Sequence, residues 1–192
     1  MGGHVALDFV NTEVMSRDDS SEDVLVSASE FLAWCAHAGV ASAQAAAPNP
    51  PSPAQERAFL KEAAAVRGAI GSIIEAIADH RDSDPEALGA LQAAWGDAVE
   101  RAVPTFDGQR LTWTWEPITF RAPLWELTGA AVDLLATGAT GRLKACPGCG
   151  FVFLDATKNG TRRWCSMDDC GKQEKIRRYV AKRSQARAAA SS

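Results

Sequence analysis

The sequence predicts an α+β fold: a mainly helical domain over residues 1–141 carrying a small β-hairpin, then a cysteine-rich module over 142–192 that ends in a basic helix. Three observations predict it. Apolar residues recur at helical spacing over long stretches of the first domain. One short segment near residue 110 alternates with period two instead. Four of the five cysteines and a surplus of positive charge are confined to the last quarter of the chain.

Taken in order, residues 2–12 (Gly-Gly-His-Val-Ala-Leu-Asp-Phe-Val-Asn-Thr) are expected as a short strand running into a polar turn, because Val5, Leu7 and Phe9 alternate with smaller or polar residues. A polar, acidic loop over 16–23 follows. Ser27 or Ser29 can cap a helix reaching about Gly39, with Phe31, Leu32, Cys35 and Ala36 on one face. Residues 41–53, rich in Ala, Pro, Ser and Asn, read as a surface loop. Ser52-Pro53 opens a long helix in which Phe59, Ala63, Val66, Ile70, Ile73, Ile74 and Ile77 recur as far as His80. Asp84-Pro85-Glu86 opens another, with Leu88, Leu91, Ala94, Trp95 and Val99 expected inward. Asp107-Gly108, between a short run after Pro104 and the alternating Leu111–Trp115, predicts a hairpin. Pro123–Gly138 reads as a helix with Leu124, Leu127, Ala131, Leu134 and Leu135 inward, and the glycines at 138 and 141 mark the boundary with the cysteine module.

Hydrophobic residues make up 46% and charged residues 23%, the balance of a globular rather than a disordered chain. No apolar run reaches the roughly 20 residues that cross a bilayer. The opening Met-Gly-Gly-His lacks the basic and apolar regions of a signal peptide, so the expected location is the cytoplasm. The net charge of −4 conceals an asymmetry. Residues 142–192 hold 12 Lys and Arg against 4 Asp and Glu; residues 1–141 hold 8 against 20. An acidic body with a basic tail suits a sensor joined to a nucleic-acid-contacting element. It suits equally a tail docked on an acidic patch of its own body or of a second subunit.

The cysteines are spaced Cys146-Pro-Gly-Cys149, then Cys165, then Cys170. A Cys-x-x-Cys turn aims two thiolates at one ion, and four sulfurs suit tetrahedral zinc in a closed, structural site. Between the pairs, Phe151–Asp155, the polar turn at Lys158-Asn-Gly and Arg162-Arg-Trp are expected to form a compact hairpin. Ser166 can cap the last helix, with Cys165 just before it and Cys170 in its first turns, where the helix dipole favours thiolates. Knuckle, hairpin and cysteine-bearing helix follow one another in treble-clef order. Two disulfides and a redox Cys-x-x-Cys are alternatives, set aside on compartment and on the absence of a βαβ setting. Cys35, on an apolar helix face, reads as a small hydrophobe.

On the last helix, Lys172, Lys175, Arg178 and Lys182 gather beside Tyr179, and Arg162 and Arg163 can extend that stripe toward phosphates. The alternative is a solvated cationic face. Ile176 and Val180 are expected to pack on the hairpin.

This C-terminal pattern (Cys-x-x-Cys, Phe-Leu-Asp, Lys-Asn-Gly-Thr-Arg-Arg-Trp-Cys-Ser-Met, Cys-Gly, basic helix) resembles the CGNR-type zinc finger. The opening Gly-Gly-His-Val-Ala-Leu-Asp-Phe-Val-Asn-Thr is similar to the start of the ABATE domain that precedes that finger in a bacterial family of stress-induced transcription regulators. The resemblance implies Zn2+, DNA binding by the finger, and a body that senses a ligand or mediates homodimer formation. One departure stands out: where the name-giving motif reads Cys-Gly-Asn-Arg, this chain has Cys170-Gly171-Lys172-Gln173. Lysine lacks arginine's planar fork, so Lys172 does not replace the lost Arg.

In the acidic body, Asp8, Asn11 and Thr12 form a polar cluster, and Arg67 is an isolated charge on an apolar helix face. With Trp113 or Trp125 they could line a pocket for a small effector. The plainer alternative is that Asp8 pairs a buried arginine and Asn11 caps a turn. His4, His37 and His80 are scattered and no catalytic triad, zinc-protease motif or phosphate loop occurs, so no enzyme is expected.

Overall fold

The computed structural model describes residues 2–14, 23–43, 50–116, 119–136 and 139–190. Most of the loops expected at 16–23 and 41–53 lie outside those residues. The spine is α3 (Pro53–Ala78), which starts at a capping box: Gln55 N donates to Ser52 Oγ while Ser52 N donates to Gln55 Oε1. Around it lie α1 (Val5–Val14), α2 (Ala28–His37, capped by Ser27), α4 (Pro85–Glu100, capped by Asp84) and α5 (Ala122–Ala136). No helix among the described residues is long and apolar enough to cross a membrane.

A file of aromatic rings runs through the core: Phe9 to Phe31 at 6.0 Å, Phe31 to Phe59 at 5.3 Å, and Phe59 to Phe120 at 5.2 Å between centroids. All three contacts are edge-to-face, each worth about 0.5–1.5 kcal/mol beyond area burial. A second cluster forms where α4 meets α5. There Trp115 donates its indole N–H to Ala98 O at 2.8 Å and Trp125 donates to Asp97 Oδ2 at 2.8 Å. Gly129 of α5 is obligatory there, since a Cβ would stand 2.6 Å from the Trp115 ring.

The opening segment is helical, not the expected strand. Alternation of Val5, Leu7 and Phe9 is half of a denser pattern: Ala6, Leu7, Phe9, Val10 and Asn11 are all buried, which a two-sided strand at a sheet edge does not require. Ten residues make a helix too short to stand alone, so tertiary burial decides its form. On α4 the buried set is Ala87, Leu91 and Ala98, and Leu88 is exposed, so the inward stripe is rotated from the one expected. The hairpin at Asp107-Gly108 is present as β1 (Val103–Phe106) paired antiparallel with β2 (Leu111–Thr114).

The buried Arg67 holds Asp23 through two bonds, Nη1–Oδ1 at 2.6 Å and Nη2–Oδ2 at 2.7 Å, and donates to Thr12 Oγ1 at 2.9 Å. Its partner is thus Asp23 rather than Asp8. The Arg67 guanidinium, against the lesser opposition of burial, holds the Asp23 carboxyl below the usual carboxylate range. Asp23→Ala is expected to cost about 2 kcal/mol, below the value for a fully enclosed pair because Asp23 is part-exposed. A carboxyl whose pKa is depressed on folding stabilises above its unfolded value, near 3.9, and loses that contribution as pH falls through the folded value. The difference between wild type and Asp23→Ala in urea melts should therefore be full at neutral pH and shrink below about pH 4.

Candidate metal centre and basic helix

The centre is built from a second hairpin, β3 (Leu143–Ala145) with β4 (Val152–Leu154), whose tip is the cysteine knuckle. The strands flank the first cysteine pair; the expected hairpin C-terminal to it is instead an irregular loop. At the tip, Cys149 N and Gly150 N both donate to Cys146 O, at 3.2 and 2.8 Å, and Gly150 takes a left-handed φ of 77°. Gly148 keeps the turn close to the second pair, since a Cβ there would meet Cys170 Cβ at 3.2 Å. On the far side Ser166 Oγ accepts from Asp169 N, and a wide turn over Met167–Gly171 carries Cys170 into α6 (Lys172–Ala190).

The four sulfurs all lie within 4.8 Å of one another. Tetrahedral zinc with bonds near 2.3 Å places sulfurs about 3.8 Å apart. Cys149–Cys165 at 3.5 Å and Cys165–Cys170 at 3.7 Å fit that spacing. Burial, reinforced by neighbouring sulfurs, raises the Cys165 thiol and pushes Cys170 up to about 11. At Cys146 burial is outweighed by donors from the Cys165 and Gly148 backbone and by the adjacent thiols, and the group falls to about 7. Deprotonating four sulfurs this close requires a cation between them. Zn2+ is the ion that the donor set and the spacing fit, and with four sulfurs its role is structural.

Asp155, buried beside β4, is the hub of the loop between the cysteine pairs. It accepts from Lys144 Nζ at 2.7 Å, Thr157 N at 2.9 Å, Thr157 Oγ1 at 2.5 Å and Arg162 N at 2.9 Å. Burial opposes its charge, but those donors prevail and hold its carboxyl well below the usual range. Lys144 Nζ also donates to the carbonyls of Gly160 and Arg162. Neither Lys144 nor Asp155 is singled out by its motif as a hub; a lysine in the strand entering the knuckle is the one signal for it in the sequence.

Two family models match this chain: ABATE, described as a putative stress-induced transcription regulator, over residues 3–138, and the CGNR zinc finger over residues 142–183. The chain belongs to the ABATE family. A comparison with curated proteins returned no match.

In this ABATE protein the finger is joined to the body through its hairpin, with β3 packed on α3 and one edge of β4 bonded to the N-terminal segment. The Asn11 amide brackets Val152, donating Nδ2 to its carbonyl at 2.8 Å and accepting its N–H on Oδ1 at 2.8 Å. Leu154 N donates to Gly2 O at 2.8 Å, and Gly2 N donates to Asp8 Oδ1 at 2.5 Å. Leu143 and Val152 are part of the body's main core. Asp8 and Asn11 thus face the N-terminus and the finger, whereas Arg67 faces Asp23; the structure gives these three residues separate partners rather than a shared pocket.

Of the six residues expected to meet nucleic acid, Arg162 is turned inward. Its Nε donates to Trp164 O at 3.0 Å, its Nη2 to Cys165 O, and it lies 4.3 Å over the Phe153 ring, so it braces the second ligand pair. Arg163, Lys172, Lys175, Arg178 and Lys182 are exposed. Gln173, at the altered motif position, donates to Asp169 Oδ1 at 3.0 Å. Ile176, Tyr179 and Val180 are 54%, 61% and 55% exposed, so Ile176 and Val180 are not packed on the hairpin as expected.

Metal analysis should find one zinc per chain, and Cys170→Ser should lower it severalfold, because one sulfur ligand is lost. Four thiols should resist a thiol reagent until a chelator is added; four reactive thiols in the untreated protein would contradict the site. Asn11→Ala leaves two buried main-chain groups of Val152 unpaired and is expected to cost about 3 kcal/mol in a denaturant melt.

Proposed function

We propose that this chain is a transcription regulator whose zinc cluster presents the basic helix α6 to duplex DNA. The observation that carries the reading is the exposure of Lys172, Lys175, Arg177, Arg178, Lys182 and Arg183 on a helix that starts at a metal ligand. Such a helix neutralises backbone phosphates and releases their counterions. The acidic body repels DNA elsewhere on the molecule and so favours approach through the finger. Membership of a regulator family supports the same reading. In it the body senses a small effector or a second copy of the chain, and the Asn11–Val152 bonds pass its state to the finger. The protein works in the cytoplasm and catalyses nothing.

A second reading draws on the exposed Ile176, Tyr179 and Val180, an apolar stripe that phosphates do not use. In that reading α6 docks on an acidic protein surface and the zinc cluster is scaffolding. Binding of the zinc-loaded protein to a mixed-sequence duplex over a salt series separates the two. The regulator reading expects a slope of log K on log salt of about −4 to −5, as for roughly five phosphates neutralised. No binding at low salt, with zinc retained, would contradict it.

A further inference from the structure

We infer that the DNA backbone is held in the groove between the knuckle and α6, not on the lysine side of the helix, and that Glu174 occupies the place of the phosphate in the free protein. This rests on the DNA-binding reading and names its contact face. The groove has a volume of about 340 Å³ and is lined by Arg163, Trp164, Glu174, Arg177 and Arg178, with Pro147 at the knuckle. That volume is at the lower end for ligand clefts, room for a phosphodiester and its sugar.

Its chemistry is that of an oxyanion site. The Arg163 guanidinium lies 5.1 Å from the centre of the Trp164 ring, which aligns its plane without neutralising it. The Glu174 side chain, only 17% exposed, is gripped by Arg177 through Nε at 2.8 Å and through Nη2, and by Arg178 through Nε at 2.8 Å. Two guanidinium groups therefore converge on one carboxylate, and a third stands beside them. Arg177 takes Oε2 through both nitrogens and Arg178 takes Oε1; a phosphodiester likewise offers two unesterified oxygens, one to each arginine, so one can replace the other on the same donors. Glu174 keeps the arginines ordered while cancelling one of their charges. Lys172, Lys175 and Lys182, exposed on α6 and outside this groove, are point charges that neutralise flanking phosphates without the fork that fixes one in place.

The test uses the full zinc-loaded chain and a mixed-sequence duplex, with affinity measured at about 50 and 200 mM salt. Zinc content and circular dichroism serve as the check that each variant is folded. Arg163→Ala and Arg177→Ala should each weaken binding about tenfold and reduce the salt slope by about one. Arg177→Lys should keep the slope and lose affinity severalfold, because charge remains and the fork does not. Glu174→Gln should tighten binding severalfold and steepen the slope. The combined Lys172→Ala, Lys175→Ala and Lys182→Ala variant should lose less than Arg177→Ala alone. The groove assignment falls if folded Glu174→Gln binds no tighter, or if the lysine variant loses more than the arginine variants while wild type binds well. Equal affinity for polyglutamate would overturn it in favour of an acidic protein partner. Absence of binding by wild type would remove the DNA reading itself, and this inference with it.

Discussion

α6 has little hold on the rest of the molecule except through the sulfur cluster at its start. Cys170 and Gly171 are buried, whereas the helix is exposed from Lys175 to Gln185. A helix so rich in lysine and arginine repels itself and gains almost nothing from burial, so it cannot find a fixed direction by packing. A divalent ion shared with the knuckle supplies that direction. Because a preformed set of thiolates does not exist in the unfolded chain, the binding energy of the ion becomes folding energy for this part of the molecule.

The cluster is in turn fixed to the body, at two levels. Asp155 and Lys144 tie the loop between the cysteine pairs to β3 and β4, and Arg162 carries that order to the backbone of Cys165. Asn11 and Gly2 then complete the free edge of β4 with hydrogen bonds from the N-terminal segment. Gly2 has no room for a side chain, because a Cβ would sit 2.8 Å from Leu7 Cβ and 3.0 Å from Val152 O. The opening motif of the body and the strand leaving the knuckle are therefore complementary parts of one joint.

Much of this was legible in the residues. Ser52-Pro53 with Gln55, and Asp84-Pro85, carry their helix starts in local chemistry, and the cysteine spacing carries its ligand set. α1 invites a strand reading because Val5, Leu7 and Phe9 alternate over a short segment, and its helical stripe, with Ala6, Leu7, Phe9 and Val10 inward and Asp8, Thr12 and Glu13 outward, spans under three turns. Asn11 and Val152 are 141 positions apart, and neither shows in sequence that an amide will bracket a strand. Arg162 and Arg163 are adjacent and identical, yet one braces the fold and the other is exposed; only the path of the backbone separates them. Glu174 looks like a lone acid in a basic helix, and its meaning comes from the two arginines that close on it.

The central claim is that the ion orients the basic helix, and hydrogen exchange in the zinc-loaded and chelator-stripped protein tests it most directly. Amides over residues 167–176 should lose their protection when the metal is removed, while those in the buried part of α3 keep theirs. Unchanged protection over 167–176 in metal-free, fully reduced protein would contradict the claim, because something other than the ion would then be holding the helix in place.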